Sequence, residues 1–367
     1  MVEEKIAERE SITGQVIQRK PRSRKHLTGL GLLTFILALT AVSSAGVGAV
    51  PVSPAELWGI VTSKLFGAAQ FAYREEQEVV FWFIRLPRIC LGILVGAGLS
   101  VAGALLQGLF RNPLADPTLI GISSGAMLAA VLTIVFSIGL GFLGGYMASY
   151  SLAVAAFSGA CLTTLLVYRL ARANGEFKIS TMLLVGIAIN AFVMAVTGLI
   201  TSLANDQQLR DLTFWNLGSL GGATWTNVLT LLPFVAATLV YTPGLSKSLN
   251  LLALGENQAG YLGVDLRVLR RRCIVLATLA VGVSVAMAGN IGFVALIVPH
   301  MVRKVFGPDH RVVIPASALG GAIILTVADT LSRTLTAPAE LPIGVITALM
   351  GAPVFIYILL KETGRRV

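Results

Sequence analysis

Apolar stretches separated by short polar segments follow one another along almost the whole chain. They cover about 27–49, 86–109, 118–140, 146–169, 179–202, 228–246, 272–290, 292–307, 312–332 and 343–360. Most approach the ~20 apolar residues with which a helix crosses a bilayer. The pattern therefore predicts an all-α integral membrane protein with ten transmembrane helices. The seventh and eighth runs are short. Gly289-Asn290-Ile291-Gly292 breaks the chain between them, and Pro299 sits inside the eighth.

The second run, RICLGILVGAGLSVAGALLQGL from Arg88 to Leu109, predicts how the helices pack. Gly92, Gly96, Ser100, Ala104 and Gly108 recur every fourth position. Side chains four apart lie on one helix face. A stripe of small residues there lets a second membrane helix approach closely. The stripe returns in Arg272 to Gly292, RCIVLATLAVGVSVAMAGNIG, at Ala280, Ser284, Ala288 and Gly292. Without gaps, that segment matches Arg88 to Gly108 at seven of 21 positions. The second span runs inward and the seventh outward. Related sequences running in opposite directions predict an inverted repeat, the second to fifth helices against the seventh to tenth, as in many transporters.

Charge sets the orientation. With the N-terminus inside, cytoplasmic segments hold 22 of the 28 Lys and Arg residues, and external segments hold six. This is the positive-inside bias. It also returns the C-terminal KETGRR to the cytoplasm. Residues 1–26 read as a cytosolic tail without the cleavage pattern of a signal peptide. Residues 27–363 read as one membrane domain. Topology thus accounts for the net charge of +10, and nucleic acid is not needed as a partner. Composition agrees: 55% of residues are hydrophobic, 13% are charged, and the mean hydropathy is +0.82. Soluble chains carry about 25% charged residues.

Several chemistries are excluded. No GxxxxGK[ST] phosphate loop, HExxH, CxxC or GxSxG occurs. Cys90, Cys161 and Cys273 follow no metal or redox spacing, and no metal site is expected. His26, His300 and His310 are not paired as a heme-ligating electron carrier requires. Without a nucleophile, base or metal constellation, an enzyme is not the expected reading. An ion-driven secondary transporter would need intramembrane acids. Asp329, near the end of the ninth span, is the clear one.

Four segments remain as candidate sites. In FRNPLADPTLIGISSGA, residues 110–126, Pro113 and Pro117 prevent a continuous helix, and Asn112 and Asp116 can bond the freed backbone. In the cytoplasmic segment 246–271, Glu256, Ala259 and Gly263 form E-x-x-A-x-x-x-G. This is either a short helix that docks a partner or an ordinary interfacial helix. Arg85, Arg88 and Arg333 lie on the otherwise poorly basic external side. They either pair with acids of an external partner or snorkel to lipid phosphates, with Asp329 placed to neutralise Arg333 at i,i+4. In the fifth span, Asn190, Met194, Thr197 and Thr201 share one helix face. That face either lines a pathway or hydrogen-bonds a neighbouring helix.

Together RLPR, GAGLSVAGALLQGLFRNPLADPTLIGISSGA, LGE-x-x-A-x-x-LG, GNIGFVALIVPHMVR and AELPIGVITALMGAPVFIYIL resemble the permease family of type II ABC importers. That family carries ferric siderophores, heme and cobalamin. The likeness runs over residues 80–362. It implies ten helices per protomer and a homodimer around a central pathway. It implies two copies of a separate ATPase, carrying ATP and Mg, on the cytoplasmic face, and a periplasmic or lipid-anchored substrate-binding protein outside. Glu256, Ala259 and Gly263 would then couple to the ATPase, and Arg85, Arg88 and Arg333 would receive acids of the binding protein. The RNPLADPTLIGISSG form is most similar to heme permeases, which implies heme as transported substrate. Ferric siderophores or cobalamin are the alternatives within the family.

Overall fold

The computed structural model describes residues 24–48, 50–67, 71–138, 150–173, 176–177, 179–337 and 339–363. The expected cytosolic tail lies outside these residues up to position 23.

The chain enters through α1 (Arg24–Gly46), an apolar helix whose flanks are mostly uncovered. The short α2 (Pro54–Phe66) follows outside the apolar runs. Its start is fixed by a capping box. The Ser53 hydroxyl accepts from the Glu56 amide at 3.3 Å, and the Glu56 carboxylate accepts from the Ser53 amide at 2.7 Å. Pro54 opens the helix, where a missing N–H costs nothing. The Ser53 amide, and after it Gln77 Nε2 donating to Glu56 Oε1 at 3.0 Å, hold the Glu56 carboxyl below its ordinary range.

Next comes α3, one continuous helix of 35 residues, Glu75–Leu109. The apolar pattern marked only its second part because the first turns, EEQE, are polar. A π turn at Phe81–Arg85 lies within it and ends on Arg85. A 3-10 turn at Pro117–Ile120 leads into α4 (Ile122–Val135). Here Asp116 accepts from the Thr118 amide at 2.8 Å, and Asn112 accepts from the Leu114 amide at 2.9 Å. Then follow α5 (Ser151–Leu170), a two-residue antiparallel ladder of Arg172–Ala173 with Glu176–Phe177, and α6 (Ile179–Thr201). The ladder is the one departure from an all-helical chain among the described residues.

The amphipathic α7 (Asp206–Leu217) was not marked by the apolar pattern, although its Asn205–Gln208 capping box is legible. The second half comprises α8 (Trp225–Tyr241), α9 (Ser246–Leu252), α10 (Glu256–Tyr261), α11 (Leu266–Ala288), α12 (Val294–Phe306), α13 (His310–Thr334) and α14 (Ile343–Thr363).

Among the described residues, seven helices are long and apolar enough to cross a membrane, with α8 and α9 continuing through a 3-10 turn as one of them. Three of the ten expected spans are shorter helices. These are α4 with 14 residues, α12 with 13, and the apolar Ile343–Ile358 part of α14. For α12 the cause is local. Gly289 and Phe293 take positive φ values of 71° and 68°, so the backbone turns sharply before the helix begins.

The two halves exchange partners: α3 packs on α13 and α12, while α11 packs on α5 and α4. Small residues permit the tightest crossings. Gly96 in α3 meets Gly321 in α13, and a Cβ on either would collide with the other's carbonyl oxygen. Ser100, wholly buried, sits beside Gly321. Gly98, one helix face away, approaches α11, where its Cβ would lie 3.5 Å from the Ser284 hydroxyl and 3.7 Å from Ala280. Gly125 and Gly159 make a further reciprocal crossing between α4 and α5.

Ala104, Ala280, Ser284 and Ala288 are buried, Gly92 lies against Leu220, and Gly108 lies against the His310 ring. Gly292 departs from the expected stripe. It lies in the break after α11, and a Cβ there would meet nothing within 4 Å.

Candidate functional site

The helix directions gather Arg85, Arg88 and Arg333 at one end of the molecule. Arg85 donates to the carbonyls of Ala45 at 2.7 Å, Gly46 at 3.3 Å and Val50. Arg333 donates to Val47 O at 3.0 Å and to Ser44 O at 2.9 Å. These are the carbonyls at and just beyond the C-terminus of α1, which lack partners in the helix and attract cations. Arg88 takes the acids: its Nε donates to Asp329 Oδ1 and its Nη1 to Glu340 Oε1, both at 2.8 Å. Arg333 Nε stands 3.3 Å from the second oxygen of Asp329 at i,i+4.

Three guanidiniums and two carboxylates thus tie α1, α3 and α13 into one buried network. The i,i+4 pairing of Asp329 with Arg333 expected from the sequence is present; what the sequence reading did not anticipate is that Arg85 and Arg88 are buried and hold the chain's own elements. Glu340 is the most open member, with 46% of its side chain exposed.

The expected polar face of α6 divides. Asn190 braces the 3-10 turn: its Nδ2 donates to Thr118 O at 2.8 Å, and its Oδ1 accepts from Ser124 at 2.5 Å. Thr197 is buried, and Thr201 donates to Thr197 O at 2.8 Å within the helix. Met194 is well exposed at 63%. One helix face by spacing is therefore three environments in the fold, because α4 and the Pro117–Ile120 turn cover only part of it.

The segment 246–271 folds as α9 and α10 followed by the start of α11. Gly255 and Gly263 bracket α10 with φ of 122° and 84°. Space around Gly263 is open, so its backbone angle is the reason for glycine. Glu256 Oε2 accepts from Arg270 at 2.5 Å, pinning α10 to α11. Ala259 is fully buried. On the outside of this hook, Leu254, Tyr261 and Leu262 are strongly exposed, Tyr261 at 90%. An exposed apolar tip on a pinned short helix is suited to docking.

A second polar cluster escaped the sequence reading. Arg303 of α12 donates to Gln107 Oε1 and, at 3.2 Å, to Ala104 O of α3, while Gln107 Nε2 returns to Leu296 O at 2.9 Å. Gln107 inside an apolar run was the available signal. Among the described residues, no three His, Cys, Asp or Glu side chains gather closely enough to hold a metal ion.

The chain is thus a multi-pass helical membrane protein with a helix break before α12, internally braced arginines and an exposed apolar hook at α10. Residues 35–361 match the FecCD transport family, and the chain belongs to it, as a permease of a type II ABC importer. The hemin transport system permease of Yersinia pestis is 42% identical over 337 residues, covering 92% of this chain and 96% of that protein. The cobalamin import permease of Halobacterium salinarum is 41% identical over 313 residues, covering 85% and 82%. A solved structure described as an inward-facing metal-chelate type ABC transporter superposes with a TM-score of 0.79 at 32% identity, covering 90% of this chain and 98% of that one. These relatives are transport components rather than enzymes.

Proposed function

We propose that this chain imports heme. As a homodimer of ten-span protomers with both termini in the cytoplasm, it passes an iron-porphyrin from an external binding protein to the cell interior. A separate ATPase supplies the energy at α10. The observation that carries the substrate is the near full-length likeness to a hemin permease, 96% of which is covered; the vitamin B12 permease of Salmonella paratyphi A is equally identical at 42% but over 289 residues. Cobalamin and ferric siderophores remain the competing substrates.

The exchange of partners between the halves supports the inverted repeat. The hook supports an ATPase dock, with Tyr261, Leu254 and Leu262 as contacts and Glu256, Ala259 and Gly263 holding its shape. The uncovered side of α6, with Leu184, Ile187 and Met194, supports a surface completed by the second copy. At the external end, an acidic docking partner would meet a network with three positive charges and two negative ones. Glu340, its most exposed member, is the group such a partner would displace.

The test is reconstitution in liposomes with the cognate ATPase and binding protein. Hemin uptake should require ATP, and neither cobalamin nor a ferric siderophore should compete. Gly263→Val should leave the permease folded and uncouple ATP hydrolysis from uptake. Hemin movement by the chain alone on an ion gradient would overturn the ABC mechanism. Competition by cobalamin would overturn the substrate.

A further inference from the structure

Facing stripes of α5 and α11 enclose a groove of about 260 Å³. Cys161, Thr164, Leu165 and Tyr168 form one wall; Arg271, Ile274, Val275, Thr278 and Leu279 form the other. The first set is spaced i, i+3, i+4, i+7 and the second i, i+3, i+4, i+7, i+8, so each is a single helix face. From Arg271 to Leu279 the groove runs about 12 Å along the axis at 1.5 Å per residue. That approaches the half-thickness of a ~30 Å hydrocarbon core.

The walls are apolar. The two threonines do not alter this, because each hydroxyl already donates within its own helix, Thr164 to Ala160 O and Thr278 to Ile274 O, both at 2.8 Å. Leu165 and Val275 are exposed at the rim, so the groove opens sideways.

Its two ends differ in chemistry. At one end Arg271 is exposed and makes no hydrogen bond or ion pair among the described residues. The Arg172 guanidinium lies 5.9 Å from the centre of the Tyr168 ring at that same end. At the other end the lining is Cys161, Thr278 and Leu279. A long apolar slot with a cationic mouth is complementary to one kind of molecule: an acyl chain joined to an anionic head.

We infer that this groove holds one anionic phospholipid of the cytoplasmic leaflet, its acyl chain between α5 and α11 and its phosphate on Arg271. Basic pockets between membrane helices on the cytoplasmic side bind such head groups. The leaflet rests on the orientation proposed above, which puts Tyr168 and Arg271 inside. Because α5 and α11 belong to opposite halves of the repeat, the lipid bridges those halves.

The full-length protein is purified, exchanged into detergent with equal phosphatidylglycerol and phosphatidylcholine, and weighed intact by native mass spectrometry. One phosphatidylglycerol should be retained in preference. Arg271→Gln should weaken retention about fivefold, the weight of one basic residue at an anionic surface, and Arg271→Lys should keep most of it. Leu165→Trp, which fills the rim, should abolish retention with an unchanged melting temperature. Equal retention of both lipids, insensitivity to Arg271→Gln and Leu165→Trp, or displacement by millimolar inorganic phosphate would each overturn the lipid site. A reporter fused at residue 175 separates the two readings: an external signal overturns the orientation and the leaflet together, whereas lost retention with an internal signal overturns the lipid site alone.

Discussion

The α3–α13 crossing and the outward side of α6 are both apolar and helical, yet they obey different rules. Of the most apolar 18-residue window in α3, 83% is buried within the chain; for α6 the figure is 22%. At the crossing, glycine is required because backbone meets backbone at Gly96 and Gly321. In α6, a Cβ added at Gly198 would meet nothing within 4 Å, so glycine there carries no packing duty within the protomer. Hydropathy does not separate the two. In a membrane, lipid is as apolar as leucine, so close packing rather than apolar burial holds helices together.

The largest expected effect tests the rigid end. Asp329→Leu strips the shared carboxylate from Arg88 and Arg333 and leaves buried guanidiniums short of a partner. Breaking a buried pair in this way costs about 3–5 kcal/mol. The protein should lose its monodisperse peak in size-exclusion chromatography, and the Arg88→Met, Asp329→Leu double variant should recover part of it. Full stability of Asp329→Leu alone would show that the network is decorative.

A smaller effect sharpens the contrast between the glycines. Gly96→Leu should cost about 3 kcal/mol by overpacking a core that cannot relax, while Gly198→Leu, on the face proposed for the second copy, should leave the melting temperature of the dissociated protomer in place. Equal tolerance at both positions would erase the distinction between the crossing and the open face.

The smallest effect is on accessibility. With Cys90, Cys161 and Cys273 replaced, cysteine at 194 should react with a soluble thiol reagent if α6 borders a water-filled pathway, and cysteine at 197 should not. Met194→Ala should shift the stability of the dissociated protomer by less than about 0.5 kcal/mol, as exposed substitutions do. Rapid labelling at 197 with none at 194 would invert the placement of that face.

Much of this architecture was legible. Apolar length located the helices, and the spacing of Gly96 and Ser100 marked a close crossing before its partner was known. The ends of elements were less legible. The polar turns of α3 hid its true start, and Asn205 and Gln208 announced α7 only to a reader looking for capping rather than hydropathy. Gly292 shared the period of the stripe but lies past the helix end, because Gly289 has already turned the chain.

The sequence by itself determined what each segment is: a membrane helix, a basic polar segment, a short helix ended by glycine, and together a member of the FecCD transport family. Those properties are local, set by runs and periods of a few residues. Only the tertiary structure decided what each polar side chain does. Arg88 found Asp329 across 241 positions, and Arg333 found Ser44 across 289. No local spacing encodes such pairs. A charge buried among membrane helices must be neutralised by whatever the fold brings within hydrogen-bonding distance, and that depends on how all the helices stack.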